Sequence, residues 1–182
     1  MPRGAQDQRC YKEHWLCTDT LPLSARRDVV VFQTPPLERD TEVTGRLVVK
    51  LWASSDAPDT DFTAKLVDVY PPSSDFPAGV DLIIGDSIVR ARYRESLKTA
   101  KMLEPEKPVE LTIEMYPTSL VFRRGHRIRV DISGSNFPRF DVNPNTGEPL
   151  NQNRRWRIAG NTLYHDAQHP SRIILPIIPP AH

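Results

Sequence analysis

Hydrophobic and polar residues alternate along several segments of this chain. In residues 109–115 valine, leucine, isoleucine and methionine take every second position, with glutamate and threonine between them. Residues 46–53, 89–94 and 128–132 follow the same pattern. A period of two is typical of a strand with one face buried and the other exposed to water. With the shorter apolar runs added, we predict about eight strands, at residues 29–32, 46–53, 62–70, 89–94, 109–115, 126–132, 161–165 and 172–178.

The segments between these runs are rich in turn-forming residues. Proline, asparagine, aspartate and glycine concentrate at residues 56–59, 71–74 and 143–147, as expected for tight connections. Only residues 95–103 are compatible with a helix, and that stretch is short. A parallel α/β sheet needs crossover helices on both faces, which this pattern does not provide. We therefore predict an all-β fold, a sandwich or barrel of antiparallel strands.

Two parts of the chain differ in character. Residues 1–27 show little strand pattern and read as an N-terminal arm, whereas residues 28–182 form the β domain. The arm carries Trp15, Leu16, Leu21 and Leu23, which we expect to cover one edge of a sheet.

Composition narrows the function classes. The 182 residues are 38% hydrophobic and 26% charged, which suits a globular domain, and 18 of them are proline. Lysine and arginine exceed aspartate and glutamate by 24 − 23 = 1, so we expect no nucleic-acid partner held through phosphates. No apolar run is long enough to span a membrane, and the first residues lack the apolar core of a signal peptide. We expect a soluble, cytoplasmic protein with no membrane partner.

The two cysteines, Cys10 and Cys17, admit two interpretations. They can be free thiols in a reducing cytosol, which we favour, or they can close a small disulfide loop. Nothing nearby completes a zinc site with them.

The sequence offers one weak approach to a nucleophilic serine. Residues 85–89 read Gly-Asp-Ser-Ile-Val, whereas an α/β-hydrolase elbow needs a second glycine at the position of Val89 and a helix after it. We interpret Ser87 as a serine at the entry of a strand. Residual esterase activity at Ser87 is the alternative.

Histidines and acidic residues give no strong sign of a catalytic or metal site. His126 follows Gly125 and opens a strand, so we assign it to a turn. His165 and His169 have the spacing of a helical metal pair, but Pro170 follows them and no helix is predicted there. The cluster Asp56, Asp59 and Asp61 lacks the pattern of an EF-hand, and we interpret it as a solvated turn, with calcium as the alternative. We expect no metal and no cofactor.

Three tryptophans, Trp15, Trp52 and Trp156, are candidate platforms for sugar binding. Trp52 lies within a predicted strand, and we assign it to the core. Trp156 stands among arginines in a polar segment, at residues 154–157, and is the candidate ligand platform. Basic stretches of this kind are more often interfaces or solvated surfaces when the net charge is near zero.

Several longer segments together resemble a known family. The chain is similar to the C-terminal module of the X-Pro dipeptidyl-peptidase and cocaine esterase (CocE/NonD) family of serine hydrolases, from about Gly4 to Pro179. The segments that carry this resemblance are residues 27–37 (RDVVVFQTPPL), 42–45 (EVTG), 53–71 (ASSDAPDTDFTAKLVDVYP), 90–96 (RARYRES), 125–129 (GHRIR), 135–141 (SNFPRFD), 164–166 (YHD) and 170–171 (PS).

The resemblance implies a fold and a partner. In that family the module is a jelly-roll β-sandwich, similar to galactose-binding domains, and it packs on an α/β-hydrolase domain that carries a Ser-His-Asp triad. The triad belongs to the other domain, so the resemblance transfers no catalytic residue to this chain. We therefore expect a non-catalytic module of an acyl hydrolase that helps to shape the substrate cleft, with the hydrolase domain on the same or a separate chain.

One loop has the composition of an interface. Residues 136–141 combine aromatic rings, a guanidinium and a proline, and the candidate interface residues are Asn136, Phe137, Arg139, Phe140 and Asp141. The alternative is that Phe137 and Phe140 plug the end of the sandwich. An uncovered sheet edge would also permit homo-oligomers. The competing function is a stand-alone β-sandwich that binds carbohydrate or another small ligand.

Overall fold

The structure is a computed structural model that describes residues 22–179. Within these residues there are nine strands: β1 (Val29–Gln33), β2 (Thr41–Ser55), β3 (Asp61–Tyr70), β4 (Val80–Arg90), β5 (Val109–Phe122), β6 (Arg127–Ser133), β7 (Asn161–Tyr164), β8 (Arg172–Ile174) and β9 (Ile177–Ile178). One short 3₁₀ helix, Leu23–Ala25, precedes β1, and another, Ala91–Tyr93, follows β4.

The strands form two antiparallel sheets. One has the order β1-β6-β3-β4, and the other has the order β5-β2-β7, with β8 and β9 also paired to β2. The long strand β2 therefore pairs with β5 along one side and with three short strands along the other. The prediction of an all-β antiparallel fold is confirmed.

The core lies between the two sheets and uses the predicted alternation. Leu47, Val49 and Leu51 of β2 face the partner sheet, where Val130 and Ile132 of β6 are also buried. Full burial of a leucine or valine side chain contributes about 1.5–3 kcal/mol, so this layer holds the sheets together. The remaining buried members of the core are Val43, Ala53, Phe62, Ala64, Leu66, Leu111, Ile113, Met115, Phe122 and Ile128.

The opposite face of β6 differs from the prediction. Arg129 and Asp131 were assigned to a face exposed to water, yet both are buried. Arg129 Nε lies 3.0 Å from Asp131 Oδ1, and Arg129 Nη1 donates a 2.7 Å hydrogen bond to Asp81 Oδ2. Burial raises the pKa of Asp131 above its usual value, although the positive charge of Arg129 opposes that rise.

The structure differs from the sequence analysis at residues 89–94, 95–103 and 172–178. Strand β4 ends at Arg90, so residues 91–94 do not continue it, and most of β4 lies before the predicted segment. Residues 95–103 form no helix. The Ser96 hydroxyl accepts hydrogen bonds from the Lys98 and Thr99 amides in a local turn. The predicted strand at residues 172–178 is divided into β8 and β9, with Pro176 between them.

Most residues named in the predictions for the N-terminal arm lie outside the described part of the chain. Cys10, Cys17, Trp15, Leu16 and Leu21 all precede Pro22. Leu23 is half-buried in the 3₁₀ helix that leads towards β1. Between residues 22 and 179, no helix has the length and apolar character needed to cross a membrane.

Candidate functional site

Both candidate sites lie in one long connection. Residues 134–160 join β6 to β7 without a strand or helix of their own. Connections of this length are uncommon in compact domains and are usually either functional loops or linker segments. The position of each candidate side chain therefore depends on what holds this connection against the sandwich.

The first part of the connection is held by Asp86 of β4. Asn136 Nδ2 donates a 2.6 Å hydrogen bond to Asp86 Oδ2, and Arg139 Nε lies 3.0 Å from Asp86 Oδ1. The carbonyl of Asn136 accepts the amide of Arg139 at 3.0 Å, and the Phe137–Pro138 peptide bond is cis. The carboxylate thus fixes both sides of the turn that carries Phe137.

This turn presents Phe137 to solvent. Phe137 is 69% exposed, so it does not plug the end of the sandwich. Phe140 is half-buried, with the Arg139 guanidinium carbon 5.6 Å from its ring centre, and Asp141 is exposed. The contacts of Asn136 and Arg139 with Asp86 were not predicted, because the sequence around an aspartate within a strand does not indicate a partner in a distant loop.

A buried network of charges holds the middle of the connection. Arg92 Nε lies 2.7 Å from Asp59 Oδ2, and Arg90 donates two 2.9 Å hydrogen bonds to the two oxygens of Asp61. Asn143 Nδ2 donates to Asp59 Oδ2 at 2.9 Å and to Asp61 Oδ1 at 2.8 Å, and so bridges the two carboxylates. The hydrogen bonds to Asp61 raise the pKa of Arg90.

This network corrects the interpretation of the acidic cluster. Asp59 and Asp61 are buried and paired, so only Asp56 behaves as part of a solvated turn. Their oxygens already face guanidinium and amide groups, which leaves them poorly placed to bind calcium. Within residues 22–179 there is no group of three or more histidine, cysteine, aspartate or glutamate side chains arranged to hold a metal ion.

The last part of the connection carries Trp156. Trp156 is 68% exposed and Ile158 is 94% exposed. Arg155 Nε lies 3.2 Å from Glu148 Oε1, and Arg157 Nη2 lies 3.1 Å from Asp56 Oδ2. The arginines therefore contact the domain while the two apolar side chains project into solvent. Trp52, by contrast, is half-buried outside the main core, with its ring 5.0 Å from that of His169.

Among residues 22–179, no histidine or carboxylate forms a hydrogen bond with the Ser87 side chain. It lies inside β4, opposite Ala64 of β3, and not at the entry of a strand. His165 stacks on Phe32 at 5.8 Å, and His169 packs against Tyr164 at 5.0 Å, so neither histidine is directed to Ser87.

His126 has a side-chain partner that the sequence did not indicate. Its backbone amide closes a turn with the carbonyl of Arg123, as predicted, but its Nδ1 lies 2.9 Å from Asp68 Oδ1. Both side chains are buried, and Tyr70 packs on the imidazole at 4.2 Å. Burial raises the pKa of Asp68, and the neighbouring His126 opposes that rise.

A small apolar cleft opens between the sheets beside β1. Its volume is about 180 Å³, and its walls include Phe32, Leu51, Val130 and Ile173, with His165 at its rim. Its polar lining residues are His165, Ser171 and Arg172, of which Ser171 donates a hydrogen bond to the carbonyl of Tyr164 and Arg172 Nη1 lies 3.6 Å from Glu110 Oε1.

Comparison with known proteins places this chain in a family. The family model of the X-Pro dipeptidyl-peptidase C-terminal non-catalytic domain matches residues 3–174. A cocaine esterase from Rhodococcus sp. (strain MB1 Bresler) is 44% identical over 162 residues, which cover 88% of this chain and 27% of the esterase.

Solved structures agree with the sequence match. An aminopeptidase from the marine sediment archaeon Thaumarchaeota archaeon superposes with a TM-score of 0.81 and 34% identity, over 86% of this chain and 27% of the aminopeptidase. An alpha-amino acid ester hydrolase superposes with a TM-score of 0.81 and 33% identity, over 86% of this chain and 26% of the hydrolase. The chain thus spans about a quarter of the length of these relatives.

Proposed function

Since this chain belongs to the family of X-Pro dipeptidyl-peptidase C-terminal non-catalytic domains, we propose that it packs on an α/β-hydrolase domain and helps to shape that domain's substrate cleft. The relatives named above are an esterase, an aminopeptidase and an ester hydrolase, each about four times as long as the matched segment. Hydrolysis of an ester or of a peptide bond is therefore the class of reaction that the complete assembly performs.

One observation carries the docking part of this proposal. Asp86 holds the turn at residues 136–141 from both sides, yet the turn presents Phe137 at 69% exposure. An aromatic side chain on a fixed backbone loses little conformational freedom when it is buried against a partner. Aromatic residues and arginine are also enriched at the centres of interfaces. These properties support docking of the module on the hydrolase domain through Phe137 and Arg139.

The relatives favour a hydrolase domain on the same chain as the module. A separate chain that carries the hydrolase domain remains the alternative form of the same proposal, and a cytoplasmic location is part of it. Self-association through a sheet edge is a further element, supported by the free outer edge of β5 within the described sheets.

A chimeric enzyme tests the proposal. In the Rhodococcus cocaine esterase, the matched segment is replaced by this chain, and ester hydrolysis is compared with that of the esterase lacking the segment. We expect the chimera to be clearly more active and more heat-stable than the truncated esterase. Activity no higher than that of the truncated enzyme contradicts the proposal.

Substitutions in the chimera then test the docking turn. Phe137→Ala should lower the melting temperature of the chimera while leaving that of the isolated 182-residue chain unchanged. Tyr116→Ala is the matched control, because Tyr116 is also an exposed aromatic residue, at 79%, but belongs to strand β5 and not to the turn. Equal melting temperatures for the Phe137→Ala and unmutated chimeras would remove Phe137 from the interface.

The exposure of Trp156 supports a second candidate function, binding of carbohydrate or another small ligand at that side chain. This hypothesis predicts calorimetric binding of an oligosaccharide to the isolated chain that is lost in Trp156→Ala. Absence of binding across a broad glycan array would reject it.

A further inference from the structure

Residues 155–158 alternate between arginine and a large apolar residue. Arg155 pairs with Glu148 of the same connection, and Arg157 pairs with Asp56 of the turn between β2 and β3. Between and after them, Trp156 and Ile158 point into solvent and are 68% and 94% exposed. A spacing of two residues brings these apolar side chains to one side of an extended segment.

The backbone beneath these side chains is fixed. The amide of Arg157 donates to the carbonyl of Pro144 at 3.1 Å, and Asn145 Nδ2 donates to the carbonyl of Arg157 at 3.0 Å. Pro144 directly follows Asn143, whose side-chain amide donates hydrogen bonds to the buried carboxylates of Asp59 and Asp61. Since the support reaches into the buried charge network, the exposure of Trp156 and Ile158 is a built feature of the fold.

We propose that Trp156 and Ile158 form a docking ridge that inserts into an apolar, acid-rimmed depression on the hydrolase domain. This inference rests on the proposed function, because it takes the hydrolase domain as the partner. Tryptophan is enriched among the residues that contribute most of the binding energy at interfaces. The module spans about a quarter of its relatives, so a large neighbouring surface exists in those proteins.

Charge distinguishes this partner from the other candidates. Arg154, Arg155 and Arg157 flank the ridge in the sequence. Arg155 pairs with Glu148 and Arg157 with Asp56, so the exposed Arg154 leaves one net positive charge beside the ridge. Acidic groups complement this charge, whereas the same ridge on a second copy of this chain would bring like charges together. A sugar gains no hydrogen bond from the isoleucine beside the tryptophan, which disfavours a glycan as the occupant.

Oxidative footprinting measures whether the ridge is covered. Hydroxyl radicals are applied to the isolated chain and to the chimeric esterase, and the oxidation rates of Trp156 and Tyr116 are compared by mass spectrometry. We expect Trp156 to react at least about threefold more slowly in the chimera, as for a side chain desolvated inside an interface. Tyr116 should react equally in both. Equal reactivity of Trp156 in both proteins overturns the ridge.

A double variant provides the second measurement. Trp156→Ala with Ile158→Ser should lower the melting temperature of the chimera but not that of the isolated chain. If the unmutated chimera is active and Phe137→Ala destabilises it, but the double variant has no effect, the ridge is wrong while the proposed function stands. If the unmutated chimera is no better than the truncated esterase, the proposed function itself fails. Protection of Trp156 in the isolated chain, either at rising protein concentration or with added glycan, also overturns the ridge.

Discussion

Arg92 Nε lies 2.7 Å from Asp59 Oδ2, and only 5% and 0% of the two side chains are exposed. The Arg92 amide also donates to Asp59 Oδ1 at 2.9 Å, and Arg92 Nη1 donates to the Glu148 carbonyl at 3.0 Å. One arginine thus connects three segments that are far apart in the sequence. They are the 3₁₀ helix after β4, the turn between β2 and β3, and the connection that carries the candidate sites.

Loss of this arginine should be costly. Arg92→Met leaves the Asp59 carboxylate buried without its cation, and removal of one partner of a buried pair typically costs about 3–5 kcal/mol. The control is Arg155→Met, since the Arg155–Glu148 pair lies at the surface, where ion pairs contribute little to stability. Urea unfolding of the isolated chain measures both. Equal losses of unfolding free energy in the two variants would contradict the assigned role of the network.

Two phenylalanines should respond very differently to the same substitution. Phe122 is fully buried in the core, and Phe122→Ala should lower the free energy of unfolding by about 3–5 kcal/mol. Phe137→Ala removes an exposed ring and should change it by no more than about 0.5 kcal/mol. Thermal and urea unfolding of the isolated chain measure the difference. A large loss in Phe137→Ala would mean that the ring belongs to the core and not to a docking surface.

Two glycines with positive φ separate backbone strain from steric contact. A Cβ at Gly79 (φ +71°) would lie 2.6 Å from the carbonyl oxygen of Tyr70, whereas at Gly125 (φ +85°) it would meet nothing within 4 Å. Both alanine variants incur the cost of a left-handed backbone, about 1–2 kcal/mol. Gly79→Ala should be the more destabilising in urea unfolding, because its turn must also move. The reverse order would show that Tyr70 and Gly79 are not in close contact.

The stability of the chain should depend on pH through Asp68. Burial raises the pKa of Asp68 in the folded state, while an aspartate in the unfolded chain ionises near pH 4. The neutral side chain therefore contributes stability below about pH 4, and this contribution is lost as the pH rises through the folded pKa. Relative to Asp68→Asn, the unmutated chain should become less stable as the pH rises from about 4 through the folded pKa of Asp68. Urea unfolding at several pH values measures this difference.

Asp166 offers a control of opposite sign. Hydrogen bonds from backbone amides, that of His169 first, lower the pKa of its exposed carboxyl. The contribution of Asp166 is therefore present above the unfolded pKa and lost as the pH falls through the folded pKa. The advantage of the unmutated chain over Asp166→Asn should shrink in acid. The same pH trend in both variants would contradict the assignment for Asp68.

Strand prediction succeeded where one face is apolar and failed where it is not. The alternation in residues 109–115 and 128–132 correctly placed the buried side of β5 and β6. Strand β4 shows no such alternation, since every residue in it is partly exposed and its pairing with β3 shifts between Leu66 and Val67. A bulge of this kind changes which residues share a face, so a simple period does not reveal the strand.

The charged residues were the main source of error. Asp59 and Asp61 are two residues apart, as are Arg90 and Arg92, and this matched spacing was the available signal. This spacing does not identify a buried pair by itself. Charged side chains are rarely buried without partners, and which residues become partners here depends on the register of β3 against β4. Asn143 joins the network from a still more distant segment.

By itself, the sequence determined the fold class, the buried faces of the long strands and the absence of a nucleophile elbow, and its resemblance indicated the family. These are local properties, because periodicity, turn chemistry and motif spacing are read within a few residues. Only the tertiary structure decided that the acidic turn is a buried ion network, that Asp86 holds the Phe137 turn and that Trp156 and Ile158 project from a fixed backbone. Those results depend on contacts between residues 33 to 104 positions apart, and strand register together with desolvation determines which charges meet.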